Sequence, residues 1–417
     1  MSDFQEQLAD LRRRIAKIDR KYAKPRPARR PQPVPPDPIG PEDWPWQEVE
    51  TALGRHFETE KLYERHRRHG SIGIADLEDL PENLLQPISG GEIPGVSPDK
   101  WCFLDTETTG LAGGSGTYAF LIGVGRIARD GFRIRQFFMR EFSEEASLLS
   151  ALESHLRQFE VLITYNGRTY DQPLLETRFR MLRQRPPFSS LPHLDLLHGA
   201  RRLWKLRFES CRLVDLENQI LGVERQGDLP GELIPYFYFE YLRTQEIFRL
   251  VPIFHHNAID ILTLACLTAV VPWAFHPAGT MQFSHAAEMI GLARWWRQAG
   301  ELENALALFR QAVERNPADD LLFRTLWDIA LIEKKLGREH AALPVLTDLA
   351  AVRNCWRVPA LEELAKYYEH RERNYSMALE MTLAALDAGP TPALERRAAR
   401  LQKKTRDKIL NPQFNEL

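Results

Sequence analysis

The chain has 417 residues and a net charge of −2, and its composition is 44% hydrophobic and 27% charged. These values are ordinary for a globular protein of two or three domains, and no global excess of positive charge points to nucleic acid. The four cysteines lack the spacing of a structural zinc site, which fits a reducing, cytoplasmic location. The polar N-terminus does not resemble a signal peptide, and no uninterrupted apolar run predicts a membrane partner.

The N-terminal segments are distinguished by charge and by proline. Apolar residues at steps of three and four predict a basic amphipathic helix over residues 1–24, which is either a solvated or partner-bound helix or an arm that holds a polyanion. Nine prolines over residues 25–45 predict an extended linker. In the N-terminal extension, residues 46–95, we expect a short helix followed by irregular structure.

The central region, residues 96–275, combines strand and helix patterns. In chain order, it predicts strands at 101–104, 118–127 and 132–138, a helix at 144–159, a strand at 161–165, a helix at 171–184, a short apolar element at 194–197 and an apolar helix at 257–270. Strands followed by alternating helix and strand are typical of an α/β layer with a mixed sheet.

Residues 284–405 contain helical patterns that repeat. Ala305, Ala342 and Ala378 lie 37 and 36 residues apart in similar surroundings, and small residues at such points let paired helices approach. This period predicts a stacked helix-turn-helix array. It resembles the tetratricopeptide repeat, whose usual length is about 34 residues. We expect this domain to bind a protein partner or to guide nucleic acid.

Four acids lie at the edges of apolar elements or within them. Asp105 and Glu107, in WCFLDTETTGL, face the same side if the strand persists through them. Asp171 begins a helix, and Asp260 lies among apolar residues of another helix. Like charges are costly to bury, and cations relieve that cost. The pattern therefore favours a site for Mg²⁺ or Mn²⁺, with solvated surface acids as the alternative.

Three ordered motifs then give a family resemblance. FLDTETTGL with Asp105 and Glu107, YNGRTYDQPLL with Asp171, and HHNAID with Asp260 resemble the motifs of the DEDD-type 3′–5′ exonucleases of the RNase H-like superfamily. The second motif has the Asn-x4-Asp form found in family B polymerase proofreading domains. The segment between the last two motifs and the helical tail are similar to the YprB-like branch, which combines a predicted exonuclease with tetratricopeptide repeats.

The resemblance implies an RNase H-like mixed sheet flanked by helices, followed by an all-α helical repeat domain. It implies hydrolysis of phosphodiester bonds at the 3′ end of single-stranded nucleic acid, with two Mg²⁺ or Mn²⁺ ions. Asp105 would bridge both ions, Glu107 and Asp260 would complete one site, and Asp171 would support the other. The implied substrate-binding residues, beside the terminal nucleotide or at the cleft, are Thr108, Thr109, Gly110, Leu111 and Asn166.

The general base has two candidates. His255 precedes Asp260 by five residues, as in one subgroup of the family, and His256 occupies the place of the tyrosine found in another. His256 and Asp260 are four residues apart and share a helix face, which slightly favours His256. One histidine is expected to act as the base and the other to be structural or to bind phosphate.

Two further segments have open interpretations. Asp195 is either an N-cap for the following helix or a residue that lines the cleft. Arg201, Arg202, Lys205 and Arg207 surround Trp204, which predicts either phosphate binding with base stacking or a solvated basic helix face.

The glycine run near residue 114 partly matches a dinucleotide-binding fingerprint. It is followed by a strand pattern rather than a helix, so we interpret it as a turn. The alternatives to an exonuclease are a catalytically inactive nucleic-acid-binding or protein-interaction scaffold and an endonuclease that uses the same metal site.

Overall fold

The computed structural model describes residues 46–110, 116–225, 227–276 and 283–410. The described residues divide into two compact units. The first contains those up to Leu197 together with Arg212–Pro272, and the second contains His198–Cys211 together with those from Trp273 onward. The predicted N-terminal helix, the proline-rich linker and the glycine turn lie outside the described residues and stay predictions.

The first unit is built on β-structure. Its strands are β1 Trp46–Thr51, β2 Gly54–Glu64, β3 Arg68–His69, β4 Ile72–Gly73, β5 Trp101–Thr108, β6 Ala119–Ala128, β7 Gly131–Phe138, β8 Val161–Thr164 and β9 His193–Asp195. Seven of them form one sheet in the order β1-β2-β7-β6-β5-β8-β9, and β3 pairs with β4 separately. Only the pairs of β8 with β5 and with β9 are parallel, so the sheet is mixed, as predicted.

Helices flank this sheet and follow it along the chain. Those up to residue 268 are α1 Glu145–Leu156, α2 Asp171–Met181, α3 Leu196–Trp204, α4 Leu213–Leu216, α5 Ile234–Thr244 and α6 Val251–Thr268. Glu217–Leu221 continues α4 as a π-turn. Short 3-10 turns occur at Ala75–Leu77, Pro98–Lys100, Phe142–Glu144, Pro187–Ser190, Gly231–Leu233, Ile247–Arg249 and Pro272–Ala274.

The helix predicted near residue 47 is wrong, because β1 and β2 occupy that region and extend the central sheet. β2 pairs antiparallel with β7 from Phe57 to Glu64. The strand pattern was hidden because polar residues occupy its covered face. His56 is fully buried, with Nδ1 hydrogen-bonded to Ser147 Oγ at 2.9 Å and Nε2 hydrogen-bonded to Glu58 at 3.0 Å.

Helix α6 packs on β5, β6 and β7 and forms part of the core. Its close approach depends on Gly123, at which a Cβ atom would lie only 2.2 Å from Asn257 Oδ1 and from Ile261 Cδ1. Gly123 is also the register partner of Asp105 across β5 and β6. The missing side chain therefore lets Asn257 reach the strand that carries the first motif.

The stretch Ile247–Ala274, which contains α6, is long and apolar enough to cross a membrane by length and composition alone. In the fold, 72% of its apolar window is buried inside the protein, as in the core helix of many globular folds. This finding gives weak evidence either way, and the absence of a membrane partner stays a prediction.

The second unit is all-α, as predicted. Its helices after residue 284 are α7 Ala286–Gln298, α8 Leu302–Glu314, α9 Asp319–Lys335, α10 Glu339–Ala351, α11 Arg357–His370, α12 Tyr375–Ala388 and α13 Pro392–Leu410. The three spaced alanines, Ala305, Ala342 and Ala378, are buried where consecutive helices pack. Their assignment to the tetratricopeptide class stays a prediction.

The suggestion that Trp204 stacks a base is wrong. Trp204 is 1% exposed, and its Nε1 donates a hydrogen bond to Glu288 at 3.1 Å. Arg207 pairs with the same carboxylate at 2.6 Å. The segment packs closely on α7 at Gly291. A Cβ atom there would lie 2.0 Å from the Arg202 carbonyl oxygen, so the approach requires glycine.

Candidate active site

The site lies where β5, β8 and β9 end. These strands run parallel, with Phe103 opposite Ile163 and Thr164 opposite Asp195, so their carboxyl ends meet at one edge of the sheet. This edge brings the first motif on β5 together with the loop after β8 and the start of α2. The fold therefore gathers residues that are far apart in the sequence.

Asp105 is fixed from the α6 side. Asn257 Nδ2 donates a hydrogen bond to Asp105 Oδ2 at 2.8 Å, and the Asn257 side-chain oxygen accepts from Gln136 Nε2 at 2.9 Å. Gln136 also donates to the Phe254 carbonyl oxygen at 2.9 Å. This chain of amides sets the orientation of Asn257, so the nitrogen faces the carboxylate.

Asp171 approaches the same strand from the start of α2. Thr106 Oγ1 donates a hydrogen bond to Asp171 Oδ1 at 2.5 Å. Burial raises the pKa of Asp171 to about 6, although the Thr106 hydrogen bond opposes that rise. The second motif is thereby tied directly to the first.

Asp260 is held by two cationic side chains. Arg225 Nη2 lies 2.6 Å from Asp260 Oδ1, and His256 Nε2 lies 3.6 Å from Oδ2. Arg225 also contacts Glu217 and, at 3.0 Å, Asp228. Burial would lower the pKa of the Arg225 guanidinium, but these carboxylates hold it above its usual range. Both oxygens of Asp260 therefore face positive charge from within the protein.

The two candidate histidines have different surroundings. His256 Nδ1 donates to the Asp228 carboxylate at 2.9 Å, which leaves Nε2 directed toward Asp260. Burial would lower the pKa of His256, but Asp228, Asp260 and Glu107 raise it to about 9. The Asp228 carboxyl is itself shifted: burial opposes the change, but the His256 hydrogen bond lowers its pKa to about 2. His255 lies on the exposed face of the same helix.

The motif acids repel one another strongly. Burial raises the pKa of Asp105 well above its usual value, and the charges of Asp260, Glu107 and Asp171 raise it further. Burial also raises the pKa of Glu107 to about 8, against the opposing charge of His256. The charges of the other three motif acids therefore all act on Asp105.

An open cleft of about 670 Å³ adjoins two of these acids, Asp105 and Asp171. Among the predicted site residues, its walls include Asp105, Thr108, Gly110, Asn166 and Asp171. Thr109 is instead engaged with Tyr118, whose amide donates to Thr109 Oγ1 at 3.0 Å. The predicted contact of Leu111 lies outside the described residues.

Asp195 is 4% exposed and binds backbone amides. Its Oδ1 accepts from the amide of Asn166 at 2.8 Å and from that of Leu197 at 3.2 Å, while Oδ2 accepts from Arg168 at 3.2 Å. The Leu197 bond lies at the start of α3 and has the geometry expected of a cap. The others hold the loop in which Asn166 adopts a φ of 69°.

No three His, Cys, Asp or Glu side chains in the described ranges are already arranged around a point that could hold a metal ion. The donor chemistry nevertheless fits Mg²⁺ or Mn²⁺, because the cluster offers carboxylate oxygens whose repulsion a cation would relieve.

Sequence reasoning missed Arg225, Asp228 and Asn257 as site residues. Asn257 carried one signal, since it is a polar residue in an apolar helix beside HHNAID. Arg225 and Asp228 lie in a segment without helix or strand and carried no comparable signal. Their role appears only when the chain folds back on α6.

Residues 102–271 match the model of the RNase H superfamily. Over 360 residues, the chain is 32% identical to the uncharacterized protein YprB of Bacillus subtilis (strain 168), a match that covers 82% of this chain and 84% of that protein. The chain belongs to the YprB family. The first unit of this family member is accordingly an RNase H superfamily domain, as the motifs predicted.

A solved family B DNA polymerase from the hyperthermophilic archaeon Pyrobaculum calidifontis is also similar, with a TM-score of 0.35 and 12% identity. The match covers 57% of this chain and 30% of the polymerase. A similarity at this level carries no argument about function.

Proposed function

We propose that this protein is a metal-dependent nuclease, a DEDD-type 3′–5′ exonuclease that hydrolyses single-stranded nucleic acid. The observation that supports the proposal is that Asp105 and Asp171 line one cleft of an RNase H superfamily domain, where the charges of Asp260, Glu107 and Asp171 raise the pKa of Asp105. The pKa of three of these acids is raised because they are buried together. Such an acid cluster is costly unless an external cation completes it.

The four carboxylates are the groups that would hold two Mg²⁺ or Mn²⁺ ions. When bound, such ions supply Lewis-acid stabilisation of the attacking and leaving oxygens in an in-line displacement at phosphorus. The protein's own contribution is to fix the carboxylates. Asn257 orients Asp105, and Thr106 orients Asp171.

His256 is the better-placed general base. Asp228 holds its Nδ1, which fixes the ring and leaves Nε2 free to accept a proton from water. At a pKa of about 9 the ring is protonated at neutral pH, so it must lose that proton before it acts as a base. Neutralising Glu107 and Asp260 would lower its pKa toward the usual value, because their charges help to raise it.

The cleft supports a chain end as substrate. Thr108, Gly110 and Asn166 line it beside Asp105 and Asp171, with room for a nucleotide next to the acids. The 3′ polarity and the preference for single strands are inferred from the three motifs. A cytoplasmic location and a protein partner for the helical repeats are further parts of the proposal.

The proposal is tested with 3′- and 5′-labelled single strands of DNA and RNA in Mg²⁺, Mn²⁺ or EDTA. We expect metal-dependent shortening from the 3′ end that is lost in Asp105→Ala and Asp260→Ala. Asp130→Ala is the matched control, because Asp130 is an exposed acid of the same unit paired with Arg133. Cleavage of a circular strand would favour an endonuclease.

The second candidate is an inactive nucleic-acid-binding scaffold. It is favoured by the occupation of both Asp260 oxygens by Arg225 and His256, since a protein cation already satisfies that acid. Under this alternative the labelled strands would be bound but remain intact with every metal.

A further inference from the structure

Helix α13 differs in charge from the rest of the chain. Residues 392–410 contain seven Lys or Arg and two Asp or Glu, whereas the whole chain has a net charge of −2. It is the last helix of the described second unit. A terminal helix needs a polar outer face for solubility, but that need is met by charges of both signs. This excess of positive charge over one helix requires another explanation.

One flank of α13 is used for structure. Glu369 of α11 is 3% exposed, and its carboxylate binds Arg397 at 3.1 Å, Arg400 at 2.8 Å and Lys404 at 3.0 Å. Burial would raise the pKa of Glu369, but these cations hold it below its usual value. These three cations therefore serve to seat α13 on α11.

The other flank is not used in this way. Arg396, Lys403 and Arg406 are exposed, and none of them forms an ion pair with a described residue. At 100° per residue they fall within a sector of about 80°, and they extend over roughly 15 Å of helix. We call these three residues the C-terminal basic face.

We propose that the C-terminal basic face binds the phosphate backbone of single-stranded nucleic acid, at a site separate from the acids of the first unit. The choice of nucleic acid rests on the proposed function, which needs a polyanionic substrate. A row of three cations that pair with no described residue suits a chain of phosphates, which it contacts without regard to base sequence.

The composition of the face argues against an anionic membrane as the occupant. A helix that binds a membrane surface presents large apolar residues beside its cations. Within the sector that the three cations span, the uncharged residues whose side chains the structure describes are Pro392 and Ala399, and no large hydrophobic residue is exposed among the described side chains of the helix. Electrostatic contact with a backbone needs no such residues.

The experiment measures binding of a fluorescein-labelled single strand to the full chain in EDTA, over a series of salt concentrations. The test variant is Arg396→Ala/Lys403→Ala/Arg406→Ala. The matched control is Lys335→Ala/Arg338→Ala/Arg371→Ala, which removes three exposed cations of the same unit, two of them paired with Glu303 and Glu339. A third variant, Arg396→Lys/Arg406→Lys, keeps the charge of the face.

We expect the test variant to bind about tenfold more weakly at low salt, and the slope of log affinity against log salt to fall by about 2, since each contact to a single strand contributes about 0.7. The control and the lysine variant should keep most of the wild-type slope. An unchanged slope in the test variant would overturn the proposal. So would a test variant that binds phosphatidylserine vesicles more weakly than the wild type but binds the labelled strand equally well.

Hydrolysis of thymidine 5′-monophosphate p-nitrophenyl ester with Mn²⁺ separates this proposal from the previous one. That substrate is too small to span two sites, so the test variant should hydrolyse it at the wild-type rate. If the test variant hydrolyses this substrate and binds the strand as the wild type does, only the proposal of the basic face is contradicted. If the wild type binds the strand through the basic face but hydrolyses nothing, only the proposed nuclease function is contradicted.

Discussion

Buried acids of the second unit are paired with cations, whereas three of the four motif acids of the first unit are not. In the second unit, Asp328 is 1% exposed and lies 2.6 Å from Arg297, and Glu369 is bound by three cations. In the first unit, Asp105, Glu107 and Asp171 have no ion pair with a described Lys or Arg. Asp105 accepts a hydrogen bond from an amide, and Asp171 accepts one from a hydroxyl. Acids with a structural role are neutralised internally, as Glu145 is by Arg178 in the first unit, whereas Asp105, Glu107 and Asp171 are not. Under the proposed function, an external cation would complete these three.

Asp105→Asn gives the largest expected effect. Hydrolysis should fall about 10³-fold or more, because a ligand to the reacting centre is lost. The free energy of unfolding in EDTA should stay the same or rise, since one of several repelling charges is removed. Both are measured on one preparation, by strand shortening and by urea denaturation. Full activity with reduced stability would place Asp105 with the structural acids.

Glu369→Ala should show the opposite behaviour. It leaves Arg397, Arg400 and Lys404 without their common partner, and we expect a loss of about 3 kcal/mol in the free energy of unfolding. Half exposure of Arg400 keeps the loss at the low end for a buried pair. The control Glu339→Ala, whose partner Arg371 is exposed, should cost less than about 1 kcal/mol. Equal losses in urea denaturation would contradict the comparison.

The pH dependence of stability in EDTA sharpens the same contrast. Glu107 has a pKa of about 8 in the fold, so it keeps a proton that the unfolded chain has already released. Its contribution therefore lowers the free energy of unfolding further as pH rises toward 8. His256, with a pKa of about 9, stabilises the fold below its ordinary value and loses that contribution as pH rises through 9. Both act in the same direction between pH 6 and pH 9.

We therefore expect the free energy of unfolding to fall by about 5 kcal/mol across this window, since one pKa unit corresponds to about 1.4 kcal/mol. Urea denaturation at each pH measures it. Glu107→Gln should flatten the curve, because an amide has no proton to keep. A stability that rises with pH would mean that the motif acids are already compensated within the protein.

The strands and site residues that the sequence could predict depended on the positions of polar residues. The apolar runs of β5, β6 and β8, with Asp105 and Glu107 at the end of β5, were predictable, because buried strands and charged ends differ sharply in composition. β2 was missed because His56 and Glu58 lie on its covered face. Arg225 and Asp228 were missed because no periodicity marks a loop, and only tertiary closure brings them to Asp260.

Substitution of Arg225 gives the smallest expected effect. It tests whether Asp260 belongs with the acids that the protein neutralises or with those that it does not. Arg225 is a protein cation, like those of the second unit, but it contacts a motif acid. If it competes with an external cation for Asp260, Arg225→Met should bind Mn²⁺ about fivefold more tightly, a change of about 1 kcal/mol. Isothermal titration with Mn²⁺, without nucleic acid, measures this directly.

Arg178→Met is the matched control for Arg225→Met. Arg178 is also a buried arginine of the first unit, with its guanidinium bound to Glu145, and neither residue is a motif acid. It should lose stability without a change in Mn²⁺ affinity. Weaker binding of Mn²⁺ in Arg225→Met would instead mean that Arg225 positions Asp260 for the ion. Asp260 would then depend on an internal cation even in its working state, and the division between the two classes of buried acid would not extend to every motif acid.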